Sequence, residues 1–278
     1  MKFQIVVDSS SDLTKEYINR SDIKFNIAPL SINIDKQTYI DDEKLDIKQM
    51  LDAMNQFKQK STSSCPAVGL YEDYFRQAEY TFCVTISSKL SGSFNSASSA
   101  KQIVMEEGKN HIHVIDSKAV SGVEILIVDE LVQLIDLGLS FEEICQKIDA
   151  YVESTNLLFV LSKFDNLIKN GRMNKFVGMA ASLFSIKPLC VADDGEIKIF
   201  KKIRTLRHAH SSLIEEIGTR CPNQKGRKLI ITHVFAEELA NKMKKTIEDL
   251  YNFDEVVVIN ARGLCSFYAL EEGIIVCF

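Results

Sequence analysis

Four serine-rich stretches hold the side chains best suited to chemistry in this chain: Asp8-Ser9-Ser10-Ser11-Asp12, Thr62-Ser63-Ser64-Cys65-Pro66, Ser87-Ser88-Lys89-Leu90-Ser91-Gly92-Ser93 and Asp116-Ser117-Lys118. They fall where strands are expected to end. In an open α/β sheet the strand C-termini form the ligand crevice, so hydroxyls and helix N-termini gathered there make a polar socket suited to a small anion. Ser91-Gly92-Ser93 opens an expected helix, whose amides and dipole favour an anion, and Arg172, just after Gly171, can supply the opposing charge. The same residues have a plain structural reading, because serine is the ordinary N-cap and turn residue at βα junctions.

Familiar catalytic signatures are missing from the sequence: there is no Gly-x-Ser-x-Gly elbow, Walker A loop, Gly-x-Gly-x-x-Gly fingerprint or His-Glu-x-x-His. His208 and His210 face different ways on an expected helix, and His111 and His113 lack a carboxylate neighbour in sequence, so no metal or cofactor is expected. A hydrolase or phosphotransfer enzyme using the Asp8/Ser9 cluster remains the second reading. It needs a base beside the hydroxyls, for which His233 and Asp116 are the sequence candidates.

The elements that must position these residues follow from the apolar pattern. Lys2 to Val7, Tyr80 to Ile86 and Ile112 to Ile115 read as strands, and the unbroken apolar run at Tyr80 marks a central one. Asn26 to Ile32 reads as a further strand that Pro29 confines to an edge or strand start. Helices are expected from Leu13, over Asp46 to Lys58, from Ser93 to Glu107 and over Val123 to Leu137. Ser140 and Glu143 then form a capping box for a helix to Val152. This alternation specifies an N-terminal three-layer α/β/α domain with a parallel sheet, residues 1–154. Residues 155–278 read as a second α/β domain with a mixed sheet. It has a strand at Leu157 to Leu161, a brief helix capped by Gly171, and a hairpin turned at Asp193-Asp194-Gly195, followed by a helix, a strand, a helix and two strands. Phe176 to Ser185 is apolar nearly all round, a buried helix whose Met179 and Phe184 could line an acyl channel.

Bulk composition narrows the partners. Of 278 residues, 46% are hydrophobic, enough for two moderate cores, and the net charge of −5 comes from interspersed signs, which argues against nucleic acid. The apolar run at Phe176 is far short of the ~20 residues that cross a bilayer, so no transmembrane segment is expected. Asp8 interrupts the first strand too early for a secretion signal. Seven scattered cysteines without a Cys-x-x-Cys indicate neither a disulfide framework nor a zinc knuckle, and a cytoplasmic protein is expected.

The order of motifs resembles the bacterial DegV family over nearly the whole chain. The matching segments include Asp8 to Leu13, Ala28-Pro29-Leu30, Tyr39-Ile40-Asp41, Ser63 to Pro66, Ile86 to Ala97 and Asp116-Ser117. They continue through Leu167 to Arg172, Ile186 to Leu189, Asp194-Gly195 and Arg204-Thr205. The resemblance implies a fatty-acid-binding protein, similar to the lipid-binding subunit of the bacterial fatty acid kinase, that catalyses nothing alone. It also implies a ligand between the two domains, with a long-chain fatty acid's carboxylate held there by hydroxyls. By motif position Ser63 or Thr62 stands at the family's Thr-Ser-Gln-Pro threonine, Ser91 at its Ser-Gly serine with Ser93 beside it, and Arg172 at its Gly-Arg arginine. Arg204 matches a basic position suited to charge or to docking the kinase's catalytic subunit. Where the family usually has a His and a Gly-rich loop, this chain has Gly263 to Gly273, with Tyr268 at about the His position. Tyr still donates a hydrogen bond but is neutral near pH 7.

Overall fold

The computed structural model describes residues 2–57, 59–108, 110–173 and 186–278. The helix expected at Phe176 to Ser185, with Met179 and Phe184, lies outside the described residues. In chain order the first half contains β1 (Phe3–Asp8), β2 (Ile23–Ala28), β3 (Ser31–Ile34), β4 (Gln37–Ile40), α1 (Ile47–Gln56), β5 (Thr62–Ser64) and α2 (Val68–Phe75). It continues with β6 (Tyr80–Thr85), α3 (Ser93–Glu106), β7 (His111–Asp116), α4 (Gly122–Asp136) and α5 (Phe141–Val152). Strands β2, β1, β6 and β7 pair in that order, all parallel. Alternation along each strand sends Val6, Cys83 and Ile112 against α2 and α3, and Ile5, Val7, Phe82 and Val84 against α4 and α5. Both faces are therefore covered, as three layers require. The capping box forms as expected, with Ser140 Oγ accepting from Glu143 N and Glu143 accepting from Ser140 N.

The second half contains β8 (Leu157–Val160), α6 (Asp165–Lys169), β9 (Leu189–Asp193), β10 (Glu196–Lys201), α7 (Leu206–Arg220), β11 (Lys228–His233), α8 (Glu237–Leu250), β12 (Glu255–Asn260), α9 (Gly263–Ala269) and β13 (Ile274–Cys277). Its mixed sheet runs β10-β9-β8-β13-β11-β12. Leu158, Val160, Leu229, Ile231 and Val276 pack under α7 and α8, whereas Phe159, Ile230, Ile275 and Cys277 face the first half. Helix α4 is the layer the two sheets share. A Cβ on its Gly122 would meet Cys277 Cβ at 2.9 Å and Ile230 Cβ at 3.0 Å, so glycine is what lets α4 lie on the second sheet.

Two expectations need correction. No helix starts at Leu13. Instead the Asp8 side chain accepts from Ser10 N, Ser9–Ser11 form a single 3-10 turn, and Asp12 ends it in the left-handed region at φ 60. Short Asp and Ser side chains took the backbone amides that a helix needs. The strand expected over Asn26 to Ile32 is two strands, because Pro29 lacks an N–H and the chain leaves one sheet there for another. Strand β3 pairs antiparallel with β4 and β5 in a separate three-stranded sheet, so Thr62 to Ser64 is itself a strand.

Candidate functional site

The Asp8–Asp12 cluster is turned inward. Ser10 Oγ lies 2.5 Å from both Asp8 Oδ1 and Glu124 Oε1. One hydroxyl hydrogen serves only one acceptor, so at the other contact a carboxylic O–H donates to Ser10. Glu124 is the group that keeps its proton, since burial and then the neighbouring Asp8 push its carboxyl well above the ordinary range. Burial also raises Asp8, whose Oδ2 accepts from Ile86 N at 3.1 Å. Asp12 accepts from Ser121 Oγ and from Arg262 N, both at 2.6 Å, yet burial outweighs these bonds and pushes it up to about 7. Asp41 accepts from Gly263 N and Leu264 N at 2.9 Å each, and burial raises it too. Asp12 and Asp41 together hold the start of α9 against the first half.

That anchoring fixes where α9 carries Tyr268. In β5, Ser63 is paired with Ile32 of β3, which is paired with Tyr39 of β4, so Ser63 shares their core-facing side. Thr62 pairs with Asn33 and points to the other face. Ser63 Oγ and Tyr268 Oη meet at 2.9 Å, joining segments 205 residues apart. Burial raises the Tyr268 hydroxyl above its usual range, so it is neutral and available as a donor. The Arg172 guanidinium lies 5.9 Å from the Tyr268 ring centre, and its Nε donates to Leu90 O at 3.1 Å, next to Ser91. Ser91 is half-buried and its Oγ is 3.2 Å from that of Ser93, which is wholly buried behind it. Cys65 Sγ brings the two loops together, since a Cβ on Gly92 would sit 3.0 Å from it.

Arg172 and Tyr268 also line a cavity between the halves. Its walls are Ile86, Leu90 and Val120 of the first half, Leu157, Phe159, Ile197 and Ile275 of the second sheet, and Leu264 and Ala269 of α9. The lining is apolar apart from a few groups, Arg172 and Glu196 being its charged residues among those described. It holds ≈ 720 Å³ of atom-free space, its open mouth included.

Of the residues singled out from sequence, Ser63, Tyr268, Arg172 and the Ser91 loop therefore converge, with Ser93 behind and Thr62 turned away. Arg204 is exposed ahead of α7, with no ion pair among the described residues. The bases wanted by the enzyme reading sit elsewhere: His233 Nδ1 accepts from Ala236 N, and Asp116 accepts from Ser88 N and Lys118 N. Ser9, Ser10, Ser93 and Ser121, whose hydroxyls touch the Asp41, Asp8, Glu124 and Asp12 carboxylates, are buried. Sequence reading passed over Glu124, Asp41, Asn166 and Asn170. An acid in the first turn of the apolar helix α4 was the available signal for the first of these.

Among the described residues no group of side chains is placed to hold a metal ion, and no helix is long and apolar enough to cross a membrane. An apolar slot between two α/β units, with the Tyr268 hydroxyl and the Arg172 guanidinium on its wall, has the chemistry to receive an amphipathic ligand. The chain belongs to the DegV family, whose model ("Uncharacterised protein, DegV family") matches residues 2–273. A DegV domain-containing protein of Streptococcus pyogenes is 38% identical over 277 residues, 99% of this chain and 98% of that protein. Among solved structures, the Streptococcus pneumoniae fatty acid kinase B3 protein loaded with linoleic acid matches with a TM-score of 0.92 at 34% identity, covering 100% of this chain and 99% of that one. A DegV family protein from Eubacterium eligens loaded with heptadecanoic acid matches with a TM-score of 0.90 at 34% identity, covering 99% and 98%.

Proposed function

We propose that this chain binds one long-chain fatty acid, tail in the apolar slot and carboxylate at Ser63, Ser91 and Arg172, with Tyr268 as a further donor. The observation that carries the reading is that Tyr268 and Arg172 sit together on the wall of the slot, with Ser63 Oγ against the Tyr268 hydroxyl. Burying about sixteen carbons at ~0.8 kcal/mol per CH2 is worth on the order of 12 kcal/mol before the costs of association, so the tail supplies affinity and the polar groups set orientation. The fatty acids held by the S. pneumoniae and E. eligens relatives support the same reading. In it the chain is a carrier rather than a catalyst and needs no cofactor. It divides near residue 154 into a head-group domain and a tunnel domain, and presents its ligand to the catalytic subunit of a fatty acid kinase, with exposed Arg204 in the contact. Denaturing the purified protein and weighing what it releases is the test. A long-chain fatty acid in about one-to-one ratio is expected, and labelled fatty acid should bind the Ser91→Ala variant more weakly. An empty protein whose Ser91→Ala variant binds as well as the parent defeats the reading.

A further inference from the structure

Ser63, Arg172 and Tyr268 come from three separate segments, and one short stretch of chain touches all three. Asn166, in α6, donates its side-chain amide to Phe267 O at 2.6 Å, the carbonyl adjoining Tyr268, and to Met54 Sδ at 2.9 Å. Asn170, the residue that ends α6, donates its amide to Ser61 O at 3.0 Å, two residues before Ser63, and to Asn166 O at 3.0 Å. The Asn170 carbonyl in turn accepts from Arg172 Nη1 at 2.6 Å. Both asparagines are 8% exposed, and each uses both of its N–H hydrogens in this way. The Asn170 amide lies between two carbonyl acceptors, and that of Asn166 between a carbonyl and a thioether sulfur, so in each the NH2 is the side turned to them.

We propose that Asn166 and Asn170 are positioning residues that set the register of the head-group side chains, Asn170 placing Ser63 and Arg172 and Asn166 placing Tyr268. The proposal rests on the fatty-acid reading above and names what holds its polar site together. Buried side-chain bonds to backbone fix a loop more tightly than packing does, and small misplacements weaken charge-assisted hydrogen bonds steeply with distance and angle. Of the apolar wall, Phe159, Ile197 and Ile275 lie on elements the two asparagines do not bridge, and Leu264 and Ala269 on α9, which Asn166 holds by a single bond at Phe267 O. Losing the asparagines is therefore felt more by the carboxylate than by the chain.

The experiment measures binding of palmitic acid and of hexadecanol, the same chain without the carboxylate, to the parent and to Asn166→Ala and Asn170→Ala. In the parent, preference for the acid tests the fatty-acid reading by itself. Each variant should lose affinity for the acid by about tenfold while holding hexadecanol within about twofold, the size expected when one or two hydrogen bonds are misplaced. Equal losses for acid and alcohol, or no loss of acid, overturn the positioning role whatever the parent prefers. A second measurement needs no ligand. The stability coupling between Ser63→Ala and Tyr268→Phe should be present in the parent and absent with either asparagine removed; coupling that survives overturns the proposal.

Discussion

Ser9, Ser10 and Ser11 are at most 1% exposed and the protein itself answers their hydroxyls, through Leu30 N, the Asp8 and Glu124 carboxylates and Asp8 O. Ser63 and Ser91 are half-buried; Ser63 Oγ meets the Tyr268 hydroxyl, and Ser91 Oγ meets the Ser93 hydroxyl and accepts from Ser93 N at 3.3 Å, with no carboxylate on either. A hydroxyl paired with a hydroxyl can turn to meet an incoming anion, whereas one fixed between carboxylates cannot. Two serine-rich segments of similar composition therefore do different work. The first joins the halves of the molecule, through Asp12 and the start of α9, and the second lies beside Tyr268 and Leu90 of the slot wall.

The comparison breaks most visibly at Asp8. Asp8→Ala leaves Ser10 N and Ile86 N unanswered in the core, and a loss of about 3 kcal/mol or more in urea denaturation is expected. The surviving folded protein should bind fatty acid as the parent does. A stable Asp8→Ala variant that no longer binds ligand would reverse the roles of the two clusters.

Asp12 gives the same contrast a pH dependence. It titrates at about 7 in the folded chain against 3.8 ordinarily, so the folded state keeps a proton that the unfolded chain has released. Stability from this group is complete below about pH 4 and is lost as pH rises through 7, by an amount on the order of 4 kcal/mol. Asp12→Asn can still accept from Arg262 N, and its denaturation midpoint should lack this part of the slope between pH 4 and 7. Parallel pH profiles for the two proteins would show that the joint does not hold that proton.

At the open cluster the expected effects are more on ligand than on fold. Ser63→Ala and Tyr268→Phe should each weaken fatty acid binding by about tenfold, or ~1.4 kcal/mol, and cost about 1 kcal/mol of stability through the hydrogen bond they share. The smallest effect is expected at the tip of the β9–β10 hairpin, where Asp194 pairs with Lys89 at 2.6 Å and Lys118 at 3.4 Å, all substantially exposed. Asp194→Ala should cost roughly 0–1 kcal/mol, less at high salt. Gly195 is the intolerant residue there, because at φ +79 an added Cβ would lie 2.6 Å from Ser87 Oγ.

Much of the fold was legible because apolar period and burial coincide. The unbroken runs of β6 and β8, the Ser140 capping box and the Asp194-Gly195 turn each announce themselves locally. What was not legible depended on distant partners. Strands β3 to β5 are short and partly polar, and their pairing is visible only once Pro29 has diverted the chain. The Leu13 helix failed because Asp8 and Asp12 answer amides from β6 and α9. Of the site, the hydroxyls and Arg172 could be named from motif order, and Tyr268 from its place in the C-terminal segment. Choosing between Thr62 and Ser63 required the pairing of β5 with β3. Asn166 and Asn170 look in sequence like ordinary residues at a helix end, and their meaning lies in carbonyls about a hundred residues away along the chain.

The most direct test is the NMR signal of a fatty acid labelled with carbon-13 at its carboxyl group. The parent should show one bound resonance, displaced from that of the free acid, whose position shifts in both Ser63→Ala and Ser91→Ala and stays unchanged in Asp12→Asn. No bound resonance, or one indifferent to both serine substitutions, would contradict the assignment of the open cluster to the carboxylate.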